Sequence, residues 1–175
     1  MPFEFKKMDI PEVVLVVAKV FRDERGFFAE TFKESEWKKA GLDCRFVQEN
    51  HSHSKLGTLR GLHYQREPHA QHKLVRVVRG EIFDVAVDMR RDSPTSRKWV
   101  GAKLSEDNHE MLFIPGWCAH GFCVLSEFAD VVYKTSAEHA PGAEGGVRWD
   151  DPAIGISWPI KNPHLSERDK RWELL

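Results

Sequence analysis

Between Gln48 and Gln65 the chain spaces amides, an imidazole and a cation so that they can work on one small molecule. Successive side chains of a strand point to opposite faces, so Asn50, Ser52 and Ser54 share a face of a strand over 45–54. By the same rule Gly61, His63 and Gln65 share a face of a strand over 58–65, with Arg60 on the other face unless the strand bends. Gly57 falls between the two runs, beside Lys55 and Leu56, which predicts a turn and a hairpin there. Neutral histidine is a proton acceptor near pH 7, because its reference pKa is about 6.5. A hairpin turning amides, a base and a cation towards a cavity is a site rather than a wall.

The elements that must position these groups are mostly strands. Apolar or alternating runs predict strands over 13–21, 27–32, 72–79, 81–88, 98–104, 110–114, 120–125 and 130–135, in addition to the two above. The run from Lys73 to Asp88 reads as two strands meeting at Arg79-Gly80. A helix is predicted over 33–41, ending at a glycine able to cap it, and Ser166 is placed to N-cap a short helix near the end of the sequence. Many short strands with Gly and Pro punctuation predict an all-β sandwich or jelly-roll barrel with short flanking helices. Neither a repeat nor a linker divides the sequence, so residues 1–175 are expected to form one domain.

Bulk properties narrow the function. A formal net charge of −1 over 175 residues lacks the basic excess of a nucleic-acid-binding protein. Neither a membrane-length apolar run nor a signal-peptide pattern is present, so no membrane partner and a cytoplasmic location are expected. Cys44, Cys118 and Cys123 are odd in number and lack Cys-x-x-Cys spacing, which fits free thiols in a reducing compartment.

Five blocks, in order, make the sequence resemble the dTDP-4-dehydrorhamnose 3,5-epimerase family, metal-free cupins of deoxysugar biosynthesis. They are the segment from Phe21 to Glu30, the stretch from Gln48 to Gln65, Lys73-Leu-Val-Arg-Val-Val-Arg-Gly80, Ile114-Pro-Gly-Trp-Cys-Ala-His-Gly-Phe122, and Tyr133-Lys134 with the Leu165 to Lys170 tail. The resemblance covers nearly the whole chain from Phe21 on. It implies a cupin-type jelly roll that inverts C3 and C5 of dTDP-4-dehydro-6-deoxy-D-glucose without a cofactor, giving dTDP-4-dehydro-beta-L-rhamnose.

Inversion beside a ketone needs a base on one face of the sugar ring, an acid on the other, and a group to hold the enolate oxygen. The resemblance assigns His63 as base, Asp169 as its carboxylate partner, Tyr133 as acid and Lys73 as enolate stabiliser. It also implies nucleotide-sugar contacts from Arg25, Phe27, Glu30, Gln48, Asn50, Arg60, His120, Glu144 and Lys170. Phe27 is suited to stacking on thymine, and arginine forks to phosphate oxygens. In the family the segment from Arg25 to Glu30 crosses to a neighbouring subunit, so a homodimer with shared sites is implied.

Taken alone, His63 reads as a hydrogen-bonded strand histidine, Lys73 as a strand-edge lysine and Tyr133 as a core residue. Three rival functions meet specific objections. A metal-dependent cupin needs His-x-His followed by Glu, whereas the slot reads His63-Tyr64-Gln65 and Glu67 follows too soon. His51 and His53 share a strand face with no partner visible in the sequence. A single-carbon (3- or 5-) epimerase or ketoisomerase would share the His–Asp pair, but Tyr133 and Lys73 favour double inversion. A carbohydrate-binding barrel would need none of the four catalytic candidates together.

Overall fold

The computed structural model describes residues 2–175. Its strands are β1 (Phe3–Lys7), β2 (Val14–Ala18), β3 (Val20–Asp23), β4 (Gly26–Ala29), β5 (Gln48–Lys55), β6 (Leu59–Gln65) and β7 (Lys73–Arg79). They continue with β8 (Glu81–Asp88), β9 (Trp99–Ser105), β10 (Glu110–Ile114), β11 (Cys118–Val124), β12 (Phe128–Thr135) and β13 (Glu144–Gly146). A six-stranded sheet runs β1-β2-β10-β7-β12-β5, and a five-stranded sheet runs β13-β6-β11-β8-β9. Consecutive strands alternate between the sheets from β5 to β12, with β8–β9 the exception. This is the jelly-roll sandwich expected of the strand spacing.

Between the sheets, side chains sort by polarity. The apolar part of this interior is filled by Val75, Val77, Ile82, Leu104, Leu112, Ile114, Val124 and Val131, all buried. Elsewhere the inward positions become polar and line an open cavity. Outside the six-stranded sheet, α1 (Glu34–Lys39) buries Trp37 against Phe3, Phe5 and Phe32 at ring-centroid distances of 4.7, 5.2 and 5.1 Å. Each such edge contact adds about 0.5–1.5 kcal/mol beyond area burial. Val147, Ile154 and Trp158 cover the outside of the five-stranded sheet, against Leu62, Val85 and Val87.

Several expected elements change. The run 13–21 splits, because Val14, Val16 and Ala18 bury against the α1 layer whereas Phe21 is 50% exposed; β3 leaves the sheet and pairs only with β4. The expected hairpin at Gly57 is not one. The turn exists, with Gly57 at φ +77° and the Thr58 N–H bonded to the Lys55 carbonyl at 3.1 Å, but β5 pairs with β12 and β6 with β11 and β13. The turn therefore carries the chain from one wall of the sandwich to the other. Strands β1 and β13 were not anticipated, and the helix near Ser166 is a single 3₁₀ turn, Asp169–Arg171. No helix among the described residues is long and apolar enough to cross a membrane.

Candidate active site

In the polar part of the interior lies a cavity of about 510 Å³. Gln48, Asn50 and Ser52 of β5, Lys73 of β7 and Tyr133 of β12 reach it from the six-stranded sheet. Arg60, His63 and Gln65 of β6, His120 of β11 and Glu144 of β13 reach it from the five-stranded sheet, and Ser166, Arg168, Asp169 and Trp172 cover its mouth. Strand alternation explains most of this, since Tyr133 pairs in register with Asn50 on one side and Val75 on the other. Arg60 is the exception that the sequence left open. His120 pairs with His63 and Phe122 with Arg60, so β6 spends three residues where β11 spends two. This extra residue is a bulge, and it turns Arg60 to the same side as His63. Gly61 makes it feasible: φ is +140°, and a Cβ there would stand 2.6 Å from the Gly121 Cα.

His63 Nε2 lies 2.5 Å from Asp169 Oδ1, a bond spanning 106 residues of sequence. With the proton on Nε2 donated to the carboxylate, Nδ1 keeps its lone pair and can act as a base. The Asp169 N–H donates to Ser166 Oγ at 3.1 Å, which fixes the 3₁₀ turn that presents the carboxylate. Burial pushes the pKa of Asp169 up, but bonding and charge from His63, the Ser166 hydroxyl and Arg168 outweigh it, so the carboxyl stays below its ordinary value. The carboxylate is thus held ionised beside the imidazole.

Opposite His63, burial raises the pKa of Tyr133, against the lowering influence of Arg60 and Arg168, which keeps the phenol protonated at neutral pH. Lys73, 8% exposed, reaches across to 3.5 Å from the His63 carbonyl. Burial pulls its pKa down to about 8, while Asp84 and Cys118 act to raise it. The imidazole comes from one sheet, and the phenol and ammonium from the other.

Further out, Arg60 donates to Ser54 Oγ at 3.0 Å and Gln48 Nε2 to Asn50 Oδ1 at 2.8 Å. Glu144 accepts from Arg168 at 2.9 and 3.1 Å and meets His139 at 3.0 Å; the His139 bond is the main reason its pKa lies below the ordinary value. Four sequence candidates lie off this cavity. Arg25, Phe27 and Glu30 sit on or beside the projecting β3–β4 hairpin, where Arg25 pairs with Asp23 and Phe27 is 58% exposed. Lys170 points away and pairs with Glu167 at 2.6 Å; Arg168 takes the mouth instead. A two-residue difference about a 3₁₀ turn decides this, and a loosely aligned loop could not reveal it.

Sequence reasoning did not single out Gln71, His139, Ser166 as a cavity residue, Arg168 or Trp172. It also missed Asp84, a charged residue buried between Ile82 and Ala86 on the inward face of β8. The polar interruption of that apolar alternation was the available signal. The partner of His51 and His53 is Asp130 of β12, at 2.9 and 3.1 Å on the outer sheet face. Among the described residues, no three His, Cys, Asp or Glu side chains converge as a metal site would require.

A cupin-like jelly roll with a histidine–carboxylate pair, an ammonium and a phenol around one cavity has the groups that an isomerase moving protons would need. Comparison with known proteins makes the class specific. The family model for dTDP-4-dehydrorhamnose 3,5-epimerase matches residues 7–175. The dTDP-4-dehydrorhamnose 3,5-epimerase of Shigella flexneri is 54% identical over 164 residues, 93% of this chain and 91% of that one. Two crystal structures superpose closely. One is the dTDP-6-deoxy-D-glucose-3,5-epimerase of Legionella pneumophila in complex with dTDP-4-keto-L-rhamnose, with TM-score 0.95, 42% identity, and coverage of 98% of this chain and 92% of that one. The other is the dTDP-4-dehydrorhamnose 3,5-epimerase of Bacillus anthracis with TDP and pyrophosphate bound, with TM-score 0.96, 40% identity and 99% of both chains covered. The chain belongs to the dTDP-4-dehydrorhamnose 3,5-epimerase family.

Proposed function

We propose that this chain inverts C3 and C5 of dTDP-4-dehydro-6-deoxy-D-glucose, giving dTDP-4-dehydro-beta-L-rhamnose by cofactor-independent proton transfer through an enolate. The observation that carries the assignment of roles is the 2.5 Å bond from His63 Nε2 to Asp169, which frees Nδ1 as the base. His63 removes the C–H proton beside the ketone, and Asp169 stabilises the imidazolium that forms. The electron pair moves onto the ketone oxygen, where the Lys73 ammonium balances the new charge. Tyr133, from the opposite wall, gives its phenolic proton to the other face of the carbon, and the ketone re-forms. Once His63 has released its proton to water and the Tyr133 phenolate has regained one, the same steps at the second carbon complete the double inversion.

Arg60 and Arg168 supply positive charge suited to a diphosphate, while Gln48, Asn50, His120 and Glu144 offer hydrogen bonds to sugar and base. The exposed β3–β4 hairpin, with Phe27 and Arg25 facing away from this chain's cavity, supports a homodimer in which it completes the neighbour's site. One domain spanning the chain, working in the cytoplasm with neither a nucleic-acid nor a membrane partner, fits this chemistry.

The test is proton NMR of the EDTA-treated protein with dTDP-4-dehydro-6-deoxyglucose in D₂O. Deuterium entering at both C3 and C5 is expected. Label at one carbon would make the chain a single-carbon epimerase or ketoisomerase, and exchange only after added metal would overturn the mechanism.

A further inference from the structure

Asp84 is wholly buried on the inward face of β8, and the proposed chemistry gives it no task. Its Oδ1 lies 2.6 Å from His120 Nε2, while Oδ2 has no hydrogen-bond partner among the described residues. A carboxylate oxygen left bare in a protein interior is costly, and apolar packing alone would favour a leucine there. Its charge must therefore be balanced by something other than hydrogen bonds.

Lys73 supplies that balance: it is buried and lines the same cavity as His120, to which Asp84 is bonded, and Asp84 favours its charged form. The other groups around Lys73 do not: Cys118 and His120 on β11 and His63 on β6 face it, and Tyr133 of β12 shares the cavity. Burial drives the Cys118 thiol above and the His120 imidazole below their ordinary values, so both stay neutral near pH 7. Neutral His120 that donates Nε2–H to Asp84 carries no proton on Nδ1, so that nitrogen can only accept.

Resting on the epimerase reading, we infer that Asp84 is a positioning residue for the proton transfers: it fixes His120 as the Nε2–H tautomer and holds Lys73 in the ammonium form. Lys73 can stabilise an enolate only while charged. Asp84 thus acts on the reaction through Lys73 and His120, without touching the sugar.

Asp84→Asn preserves the shape and can still accept from His120, but it removes the charge. Exchange at C3 and C5 and kcat should fall about 10- to 100-fold, less than the about 10²–10³-fold loss when an oxyanion donor is deleted outright. The alkaline limb of the kcat/KM profile should move to lower pH, because Lys73 then loses its proton more readily. Affinity for dTDP should stay within about twofold of the parent protein, since the nucleotide end does not meet Asp84. An unchanged alkaline limb and kcat would overturn the inference while leaving the epimerase reading intact. Absence of exchange in the parent protein would instead overturn that reading. Should Asp84→Asn fail to fold, ¹⁵N NMR of the parent imidazoles decides: His120 is expected neutral and protonated on Nε2 near pH 7, and a cationic or Nδ1–H His120 overturns the inference.

Discussion

Replacing Lys73 with methionine should make the protein more stable and stop it working. The ammonium is 8% exposed, and burial pulls its pKa from an ordinary 10.5 to about 8. At about 1.36 kcal/mol per pH unit, that gap costs about 3 kcal/mol of folding stability at neutral pH. The figure is already net of the attraction from Asp84, so the balance that Asp84 loses in the methionine variant is counted within it. Below about pH 8 the lysine is charged in the folded and unfolded chains alike, and the whole cost is present. Between there and about 10.5 the unfolded chain holds a proton that the folded one has lost, so stability rises with pH. Above that range the lysine is neutral in both states and the cost is gone. Methionine has a similar length without the charge and adapts to irregular space.

Lys73→Met should therefore gain about 3 kcal/mol at pH 7, or about 6–12 °C in Tm for a chain of this size. The gain should shrink towards zero near pH 10. Paired urea titrations at the two pH values measure it, and the deuterium assay should record a loss of about 10²–10³-fold. A variant less stable than its parent at pH 7, or one whose gain is equal at both pH values, would refute the reasoning.

Asp169→Asn removes a charge 2.5 Å from His63. With the centres of the two delocalised charges about 4 Å apart and an effective dielectric of about 20, that stabilisation is worth about 4 kcal/mol, so kcat should fall about 10³-fold, with little change in dTDP affinity by calorimetry. Tyr133→Phe should leave exchange at the carbon that His63 deprotonates while product formation, followed by NMR, largely stops. Gly146→Ala would place a Cβ 2.2 Å from the Trp172 ring, so the 166–172 segment must shift; about 1–3 kcal/mol of stability should be lost in urea titration, and activity with it. Phe27→Ala should weaken dTDP binding in a homodimer, and mixing it with inactive His63→Ala protein should leave one kind of site with both residues intact. Activity regained on mixing supports hairpin exchange between subunits, and activity that stays at the sum of the two variants counts against it.

Strand content and the shared face of Asn50, Ser52 and Ser54 on β5 were legible because alternation is a local property of sequence. The assignment of β5 and β6 to opposite sheets was not, since a glycine turn looks alike whether it reverses a strand or passes it across a sandwich. Arg60 shows the same limit at one residue: alternation put it outside, and a bulge made possible by Gly61 brought it in. His63 and Asp169 could be paired only through the family resemblance, because a contact across 106 residues leaves no periodic trace. Asp84 did leave one, as a charge in the apolar run of β8, but what it balances depends on Lys73 from the other sheet.

That long separation between His63 and Asp169 also sets a schedule. A ribosome delivers His63 early, and the strands that wall the cavity follow before the carboxylate has been made. A chain interrupted before Ser166 would carry the residues of both sheets and an imidazole without its orienting partner. The pairing of imidazole and carboxylate therefore waits for the Ser166–Trp172 segment, long after both sheets have been made.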